Sequence, residues 1–590
     1  MPYRPAKRSQ MNPISNPTTL SHTGPGDTSG PSSSQRASAL PLSHLSRRGF
    51  GGLAGLALLT PLLDACGAST SPAETSAKPV SGGSVSYAVD TEPVTFDIHV
   101  ASQDITGEIC RNVFDSLIAE DTNGEFHPWL ATAWEYAPDL SSYTFTLRQD
   151  VKFSDGTPFD ANAVKVNFDR IAAPSTKSQL ASSLLGPYTG TEVVDQYTAK
   201  VTFSEAYAPF LQAVSTAYLG FYSPKTIAAN SATLGSGGPV DVGTGPFTFT
   251  SYTKGQSVVL TKNPDYDWAP ATSAHTGPAY LDQLTIRFLS EDSVRVGALT
   301  SGQVALARAI PPVNIKALAA NPGFTVAHRS DPGGVYNIVF NAAKAPLDDI
   351  NVRKAIQRGI NIDLDVKTVY FGQYDRAWSP LSPSTPDYDP SLENAWPYDA
   401  ALADQLLDTA GWTGRDSQGY RTKNGQRLVI DWPILPPAYI TDQRDILGQA
   451  IQADLKSIGI QVNRPQPDIG DYITEIYGGQ TNFIDFTWAR FEPDVLWLFF
   501  NSASNPANGG QNGTFISDAQ LNQWTNTGRT TLDAATRKTV YDEVQKRVVL
   551  DLALVTPIYV PETIIGVANS VHGLTFDPNA WTLFYDVWSG

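Results

Sequence analysis

The 590-residue sequence predicts a mixed α/β protein of two or three domains. Three observations predict this class: segments that alternate apolar and polar residues, capped segments with apolar residues at helical spacing, and length. About 510 residues follow the N-terminal leader, enough to bury several hydrophobic cores. Sequence repeats of 20 to 50 residues are absent, which argues against a solenoid.

One β-strand is predicted in the segment "SSYTFTLRQDVKFSDG". Alternation along it places one set of side chains on a buried face. The predicted buried residues are Tyr143, Phe145 and Leu147, followed after a polar break by Val151 and Phe153. Asp155-Gly156 is a turn signal that ends the segment.

Three helices are predicted from caps and apolar spacing. The first begins after Asp160, the second after Asp399 and ends at Gly411, and the third runs from about Asp442 to Gly459. Their apolar positions are Val164, Phe168 and Ile171; Leu402, Leu406 and Ala410; and Leu447, Ile451, Leu455 and Ile458. Ile460 and Val462 then begin a strand.

The leader is predicted to be an export signal. Arg47-Arg48 precede an uncharged run, Gly49 to Leu63, which is shorter than the roughly 20 residues of a membrane-spanning helix. The arginine pair is similar to a twin-arginine signal, and Leu63 to Cys66 resembles a lipobox, in which Cys66 is acylated. The alternative is an N-terminal transmembrane anchor. Residues 1–45 are Ser- and Pro-rich, and 66–80 are interpreted as a flexible tether.

Charge and cysteine content exclude several classes of protein. The chain has 41 basic and 58 acidic residues, of which six basic and two acidic residues lie in the first 65 positions. The segment from Cys66 onward therefore has 35 basic and 56 acidic residues, a net charge of −21. Such a surface disfavours nucleic acid and anionic lipid as partners. Only Cys66 and Cys110 are present, so a lipidated Cys66 leaves no internal disulfide, and Cys110 is predicted to be a buried apolar residue.

Motifs for the commonest extracellular enzymes and metal sites are missing. GxSxG, HExxH, CxxC and GxxxxGK[ST] do not occur, and neither cofactor nor metal site is predicted. The five histidines after Cys66 are far apart, although residues from distant segments can still converge on a chelated metal.

Six blocks of sequence resemble the peptide and nickel class, family 5, of extracellular solute-binding proteins, which supply ATP-binding cassette importers. They occur in the order of that family and span about 82 to 590. The blocks are "NVFDSLIAEDTNGEFHPWLATAWEYAPDLSSYTFTLRQDVKFSDGTPFDANAVKVNFDRI", "GTGPFTFTSYTKGQSVVLTKNPDYDW", "NVRKAIQRGINIDLDV", "YDAALADQLLDTAGW", "AIQADLKSIGIQV" and "TPIYVPETI".

The resemblance implies a periplasmic-binding-protein-like type II fold, with two lobes, domains I and III, around a cleft, plus an extra domain II. It implies domain I at 81–120, 241–335 and 565–590, domain II at 121–240 and domain III at 336–564. Residues 1–65 are then the extension and signal peptide.

The resemblance also implies where the solute binds. In peptide-binding members an aspartate a few residues before an acidic-Pro pair binds the peptide α-ammonium; here Glu492-Pro493 has no carboxylate before it until Asp485. Arg490 stands near that position and would favour an anionic solute. The expected residues of domain III are Trp488, Arg490 and Phe491. The alternative is that Arg490 pairs with Glu492 or Asp494.

Residues on other segments complete the expected site. Ser102 and Gln103 match the cleft-lining loop of the family, and Trp378 follows a position that faces the ligand. The alternative for Trp378 is a core tryptophan packed on Pro380. Asn341 is expected near the crossover between the lobes.

The expected function is that of a monomeric, membrane-tethered lipoprotein outside the cytoplasm, which delivers a peptide or peptide-like solute, anionic ones included, to a permease without catalysis. Nickel-chelate, opine or oligosaccharide binding is the alternative within the fold. An extracellular hydrolase, and a sensor or chaperone with the same closing cleft, are the alternatives from other classes.

Overall fold

The computed structural model describes residues 78–436 and 440–590. The predicted signal peptide, Cys66 and most of the tether lie outside these residues. Among the described residues, no helix is both long and apolar enough to cross a bilayer. The fold is mixed α/β with several sheets, as the sequence predicts.

The first lobe is built on a seven-stranded sheet in which Ser84–Val89 is central and runs parallel to both neighbours. The remaining pairs are antiparallel. In spatial order the strands are Phe324–Ser330, Glu562–Ala568, Leu306–Arg308, Ser84–Val89, Gln283–Phe288, Ser257–Lys262 and Phe247–Thr253. Its helices are Asp104–Cys110, Asp292–Thr300 and Pro312–Ala319. Short pairs, Val571–His572 with Trp588–Ser589 and Thr575–Phe576 with Thr582–Leu583, form the C-terminal segment.

The side domain has a four-stranded antiparallel sheet and shares one hydrophobic core with the first lobe. Its strands, in spatial order, are Ala131–Tyr136, Ser142–Leu147, Thr198–Phe203 and Tyr188–Asp195. Its α-helices are Ala161–Ala172, Leu180–Leu185, Phe210–Ala213 and Pro224–Asn230, with 3-10 turns at Pro174–Thr176 and Ala217–Leu219. The hairpin Ile118–Glu120 with Phe126–Pro128 leads into it.

The second lobe is built around a three-stranded antiparallel sheet, ordered Phe483–Ala489, Gly333–Phe340, Val555–Tyr559. Its hydrophobic core is continuous with residues of the first lobe such as Leu299 and Ile310. Its helices are Ile350–Gly359, Ile362–Val369, Ala400–Thr409, Arg444–Ser457, Ile469–Tyr477, Val495–Phe500, Ala519–Arg529 and Ala534–Lys546, with a π-turn at Arg547–Asp551 and 3-10 turns at Pro390–Leu392, Ser502–Ser504 and Pro506–Asn508. Small sheets comprise Gly414–Arg415, Arg421–Lys423 and Gln426–Arg427, and Val429–Asp431 with Gln461–Asn463.

Two short stretches, 331–332 and 560–561, connect the sheets of the two lobes; we call them the crossovers. They run side by side, because the Asp331 N–H donates to the carbonyl of Pro561 at 2.9 Å. We therefore propose domain boundaries at the crossovers, since positions 335 and 564 fall inside strands Gly333–Phe340 and Glu562–Ala568.

Most of the locally predicted elements form. Tyr143, Phe145 and Leu147 are buried on one face of their strand, and Asp160 caps its helix by accepting from the Ala163 N–H at 3.0 Å. Cys110 is buried, with its Sγ 3.4 Å from the carbonyl oxygen of Phe96.

Two predictions are wrong. The helix after Asp399 buries Ala403 and Leu407 rather than Leu402 and Leu406, although Ala410 is buried as predicted. The helix packs on Ile350–Gly359, where the Ala403 Cβ lies 3.6 Å from the position of a Cβ on Gly359. Asn341 lies at the end of strand Gly333–Phe340 that is remote from the crossover.

Gly333, directly after the first crossover, provides a stability test. Its φ is +90°, and an added Cβ would lie 2.3 Å from the carbonyl oxygen of Trp488 and 2.6 Å from the backbone nitrogen of Arg490. We expect Gly333→Ala to lower the free energy of unfolding by about 3 kcal/mol, which a drop in the thermal unfolding midpoint would show.

Gly419 is the matched control. Its φ is +87°, and nothing lies within 4 Å of an added Cβ. Gly419→Ala should lower the free energy of unfolding by only about 1 kcal/mol, the cost of placing an alanine in the left-handed backbone conformation. Equal midpoints for the two variants would contradict the close packing at the crossover.

Candidate functional site

A cavity of about 680 Å³ lies between the two lobes beside the crossovers. Residues of the first lobe form one wall, including Gln103, Asp104 and Arg308. The second lobe contributes Arg444 and Thr487, among others. A space of this size, enclosed by two lobes and lined by polar groups, is typical of a small-molecule binding site.

The wall of the first lobe is anchored around Arg308. Its Nη1 lies 3.5 Å from Asp90 Oδ1, and its Nε lies 3.4 Å from Glu108 Oε2. Glu108 is buried and also accepts from the Tyr87 hydroxyl at 2.8 Å. Two carboxylates therefore fix the guanidinium group at the cavity surface and balance its charge.

Three carboxyl groups that line the cavity are poorly solvated: Asp104, Asp331 and Glu562. Burial raises the pKa of Asp104 to about 6 and the pKa of Asp331 to about 7, although nearby Arg308 lowers both. Thr563 donates its hydroxyl to Asp331 Oδ1 at 2.7 Å. These groups bind protons near neutral pH, so a cationic group of a solute would stabilise their charged forms.

The wall of the second lobe is anchored around Arg444. Its Nε donates to the Tyr559 hydroxyl at 3.0 Å and its Nη2 to the Thr487 hydroxyl at 3.1 Å, while its guanidinium carbon lies 4.7 Å from the ring centre of Tyr336. The fixed cation can bind a carboxylate of a solute.

Strained backbone precedes this arginine. Asp442 and Gln443 have φ values of 52° and 54°, in the left-handed region, and both line the cavity. Non-glycine residues rarely adopt this conformation, and such strain is concentrated at binding sites. The third predicted helix accordingly begins at Arg444 rather than at Asp442.

The residues predicted on the loop of the first lobe lie at the cavity or next to it. Gln103 lines it, and its position is fixed because Gln103 Oε1 accepts from the Val94 N–H at 2.8 Å and its carbonyl accepts from the Tyr218 hydroxyl at 2.6 Å. Ser102 is exposed and does not line it.

The three residues predicted around Arg490 do not line the cavity. Trp488 is half-buried, with its ring centre 6.1 Å from that of Phe499. Phe491 is buried, and its N–H donates to Asn579 Oδ1 at 3.2 Å, a contact between the lobes.

Arg490 itself is 6% exposed, and its Nε and Nη2 have no hydrogen-bond partner among the described residues. The two acids proposed as its partners are paired elsewhere: Glu492 with Arg537, and Asp494 with Arg529 at 3.6 Å.

Trp378 packs within the second lobe. The Arg376 guanidinium lies between two rings, 3.3 Å from the centre of Trp378 and 4.6 Å from the centre of Trp396. The Trp396 indole N–H donates to the Trp378 carbonyl at 2.9 Å. These contacts, rather than a solute, occupy its side chain.

One group of metal-ligating side chains lies outside the cavity, on the loop of the hairpin before the side domain. It comprises Asp121, Glu125 and His127. Asp121 Oδ2 is 3.0 Å from His127 Nε2, and Asp121 Oδ1 accepts the N–H groups of Asn123 and Glu125. Contacts within the turn account for this geometry, so we assign no metal to it.

Sequence reasoning missed Asp104, Arg308, Asp331 and Arg444. The Asp331-Pro-Gly-Gly run between two strands was an available turn signal for the crossover. Asp104, Arg308 and Arg444 had no such signal in the sequence, since an arginine or aspartate in an amphipathic segment is ordinarily a solvated residue.

Comparisons with known proteins agree on one family. The model for "Bacterial extracellular solute-binding proteins, family 5 Middle" matches residues 125–510. The nickel-binding periplasmic protein of Escherichia coli (strain K12) is 28% identical over 373 residues, 62% of this chain and 67% of that protein. Di/tripeptide-binding protein 2 of Pseudomonas aeruginosa (strain UCBPP-PA14) is 28% identical over 440 residues, 71% and 78% of the two chains.

The fold is likewise similar to solved structures. NikA from Brucella suis in complex with Fe(III)-EDTA has a TM-score of 0.74 at 24% identity, over 86% of this chain and 100% of that one. At this identity the likeness shows the fold, a two-lobed type II binding protein, as the sequence predicts.

The raised pKa of Asp331 predicts a pH dependence. Because the folded state holds this proton more tightly than the unfolded state, its contribution to stability is full below about pH 4. It is lost as the pH rises through about 7. We expect the thermal midpoint of the wild type to fall relative to that of Asp331→Asn over this interval.

Asp348→Asn, which changes an exposed carboxylate, is the control and should follow the wild type. A constant difference between the wild type and Asp331→Asn from pH 4 to pH 8 would show that Asp331 does not titrate within the fold.

Proposed function

The chain belongs to the family 5 bacterial extracellular solute-binding proteins, and we propose that it captures a peptide or peptide-like solute between its lobes and delivers it to an ATP-binding cassette importer. The observation that carries this proposal is the cavity of about 680 Å³, to which both lobes contribute fixed charges. We propose that the lobes close on the solute by moving about the crossovers. We also propose that the protein acts as a monomer and does not change the solute chemically.

The charges favour a zwitterionic solute. Asp104 and Asp331 suit an ammonium group, and Arg444 suits a carboxylate. A free peptide or an amino-acid conjugate carries both groups. A relative named as a di/tripeptide-binding protein supports this class.

We propose Gln103, Asp104, Arg308, Asp331, Arg444 and Thr487 as the binding residues. Of the earlier set, Gln103 is retained. Trp378, Trp488 and Phe491 are assigned to packing, and Ser102 to the rim. Arg490 is assigned to the interior of the second lobe, because its guanidinium is buried away from the cavity.

A chelated metal is the second candidate solute, since one relative is named as nickel-binding. The carboxylates and arginines of the cavity would then contact the chelator. No histidine lines the cavity within the described residues, so direct ligation by imidazole is not part of this proposal.

A thermal-shift screen of the purified chain with di- and tripeptides, glutathione, opines and nickel–histidine tests the function. A solute at 100 times its dissociation constant should add about 2.7 kcal/mol of stability. Turnover of a bound compound, or a panel without any stabilising solute, would contradict peptide-like capture.

Arg444→Met and Arg490→Met form a matched pair for the solute found. The first removes a lining cation and should weaken binding more than tenfold, about 1.4 kcal/mol, by titration calorimetry. The second removes a buried cation that does not line the cavity and should leave affinity within about twofold. Equal losses in the two variants would argue against Arg444 as the anchor.

We also propose that Cys66, at the end of a twin-arginine signal, carries lipid and holds the protein on the outer face of the membrane. Cys66→Ser, or globomycin, which blocks lipoprotein signal cleavage, should leave a precursor of higher mass in membrane extracts. Normal processing under both conditions would remove the lipobox assignment.

A further inference from the structure

A second cavity, of about 310 Å³, lies where the first lobe meets the side domain, and it shares no lining residue with the cavity between the lobes. Its floor is buried, whereas Thr122 and Thr272 at the rim are exposed. Aromatic side chains form much of the wall: Trp129, Tyr266, Phe576, Phe584 and Tyr585.

Two buried polar atoms at this cavity make no well-aligned hydrogen bond among the described residues: Asp115 Oδ1, which has Thr244 beside it, and Trp129 Nε1, which has Tyr266 beside it. Asp115 is fully buried and Trp129 is 8% exposed. The other carboxyl oxygen of Asp115 accepts from the Trp268 indole N–H at 2.9 Å, which fixes the group. Each unsatisfied buried group costs about 1–3 kcal/mol, so an occupant that donates to Asp115 and accepts from Trp129 would be stabilised.

The lining is strongly acidic. Five carboxyl groups belong to it, and among the described lining residues Arg111 is the sole lysine or arginine. Arg111 already donates to the Ser116 hydroxyl at 2.7 Å and to the Ser215 carbonyl at 2.5 Å. The five acids are Asp115, Glu120, Asp121, Asp577 and Asp586.

Burial raises the pKa of Asp115 to about 7 and the pKa of Asp577 to about 6. These groups hold protons near neutral pH because burial disfavours their charged forms more than nearby Arg111 stabilises them. A bound cation would take the place of those protons.

We propose that this cavity is a second binding site, for a small organic ammonium compound that also carries a hydrogen-bond acceptor, such as an amino alcohol. The ammonium group lies against Asp115 and the aromatic wall, where cation–π contact adds to the ion pair. The acceptor takes the free N–H of Trp129. Apolar walls of this kind disfavour a hydrated metal ion, and the acids disfavour an anion.

Ethanolamine, whose ammonium group can donate to Asp115, and choline, whose ammonium group has no N–H and pairs with Asp115 through its charge alone, are the probes. The matched control compound is 3,3-dimethylbutanol, the neutral isostere of choline. Titration calorimetry and saturation-transfer NMR on the full chain should show binding of both amines. The neutral isostere should bind at least tenfold more weakly, since it lacks the charge that Asp115 recognises.

Asp115→Asn keeps the shape of the side chain and removes its charge, so it should weaken the binding of choline at least tenfold. Trp129→Phe removes only the indole N–H and the fused ring, and should weaken ethanolamine severalfold even if Asp115→Asn fails to fold. Two controls should bind both probes like the wild type: Asp348→Asn, which changes an exposed carboxylate, and Asp331→Asn, which changes the acid of the cavity between the lobes.

Absence of amine binding at about 10 mM, equal binding of the neutral isostere, or unchanged binding in both cavity variants would overturn the proposal. Loss of amine binding in Asp331→Asn would place the amine in the cavity between the lobes instead. Because the two sites share no residue, failure here leaves the proposed capture of a peptide-like solute untouched.

Discussion

The two crossovers are the constraint on which the rest of the structure depends. Two separate sheets are joined by only two short stretches, 331–332 and 560–561, and a hydrogen bond between them holds them in register. The lobes share a hydrophobic cluster that includes Leu299 and Ile310 of the first lobe, and beside the crossovers a cavity remains between them. The polar groups of the cavity lie beside this connection, so they come together only when both lobes are folded.

Charge placement in that space follows from the cost of burying ions. Arg308 is held by two carboxylates and Arg444 by hydroxyl groups and an aromatic ring, whereas Asp104 and Asp331 have raised pKa values. The cations are therefore fixed before a solute binds, whereas the acids lose their protons when a cationic group of the solute binds beside them. The second cavity is also acidic, with five acids and one arginine in its lining.

Local patterns in the sequence predicted local structure well. Three of these predictions depend on interactions within a few residues. They are the cap at Asp160, the buried alternation around Tyr143 and Phe145, and Gly459, which follows the end of its helix. The helix after Asp399 shows the limit of such reasoning. Its cap formed as predicted, but the buried stripe is shifted by one residue, because the partner helix decides which face is covered.

The sequence by itself determined the family, the α/β class and the positions of most elements, because the order and spacing of the blocks and the caps are written along the chain. Only the tertiary structure decided which side chains face the cavity. Arg490 and Arg444 are 46 positions apart and equally polar, yet one is buried beside the crossover and the other lines the space between the lobes. The physical reason is that a binding site is formed by residues from distant segments, and the packing of the two lobes alone sets the direction in which each side chain points.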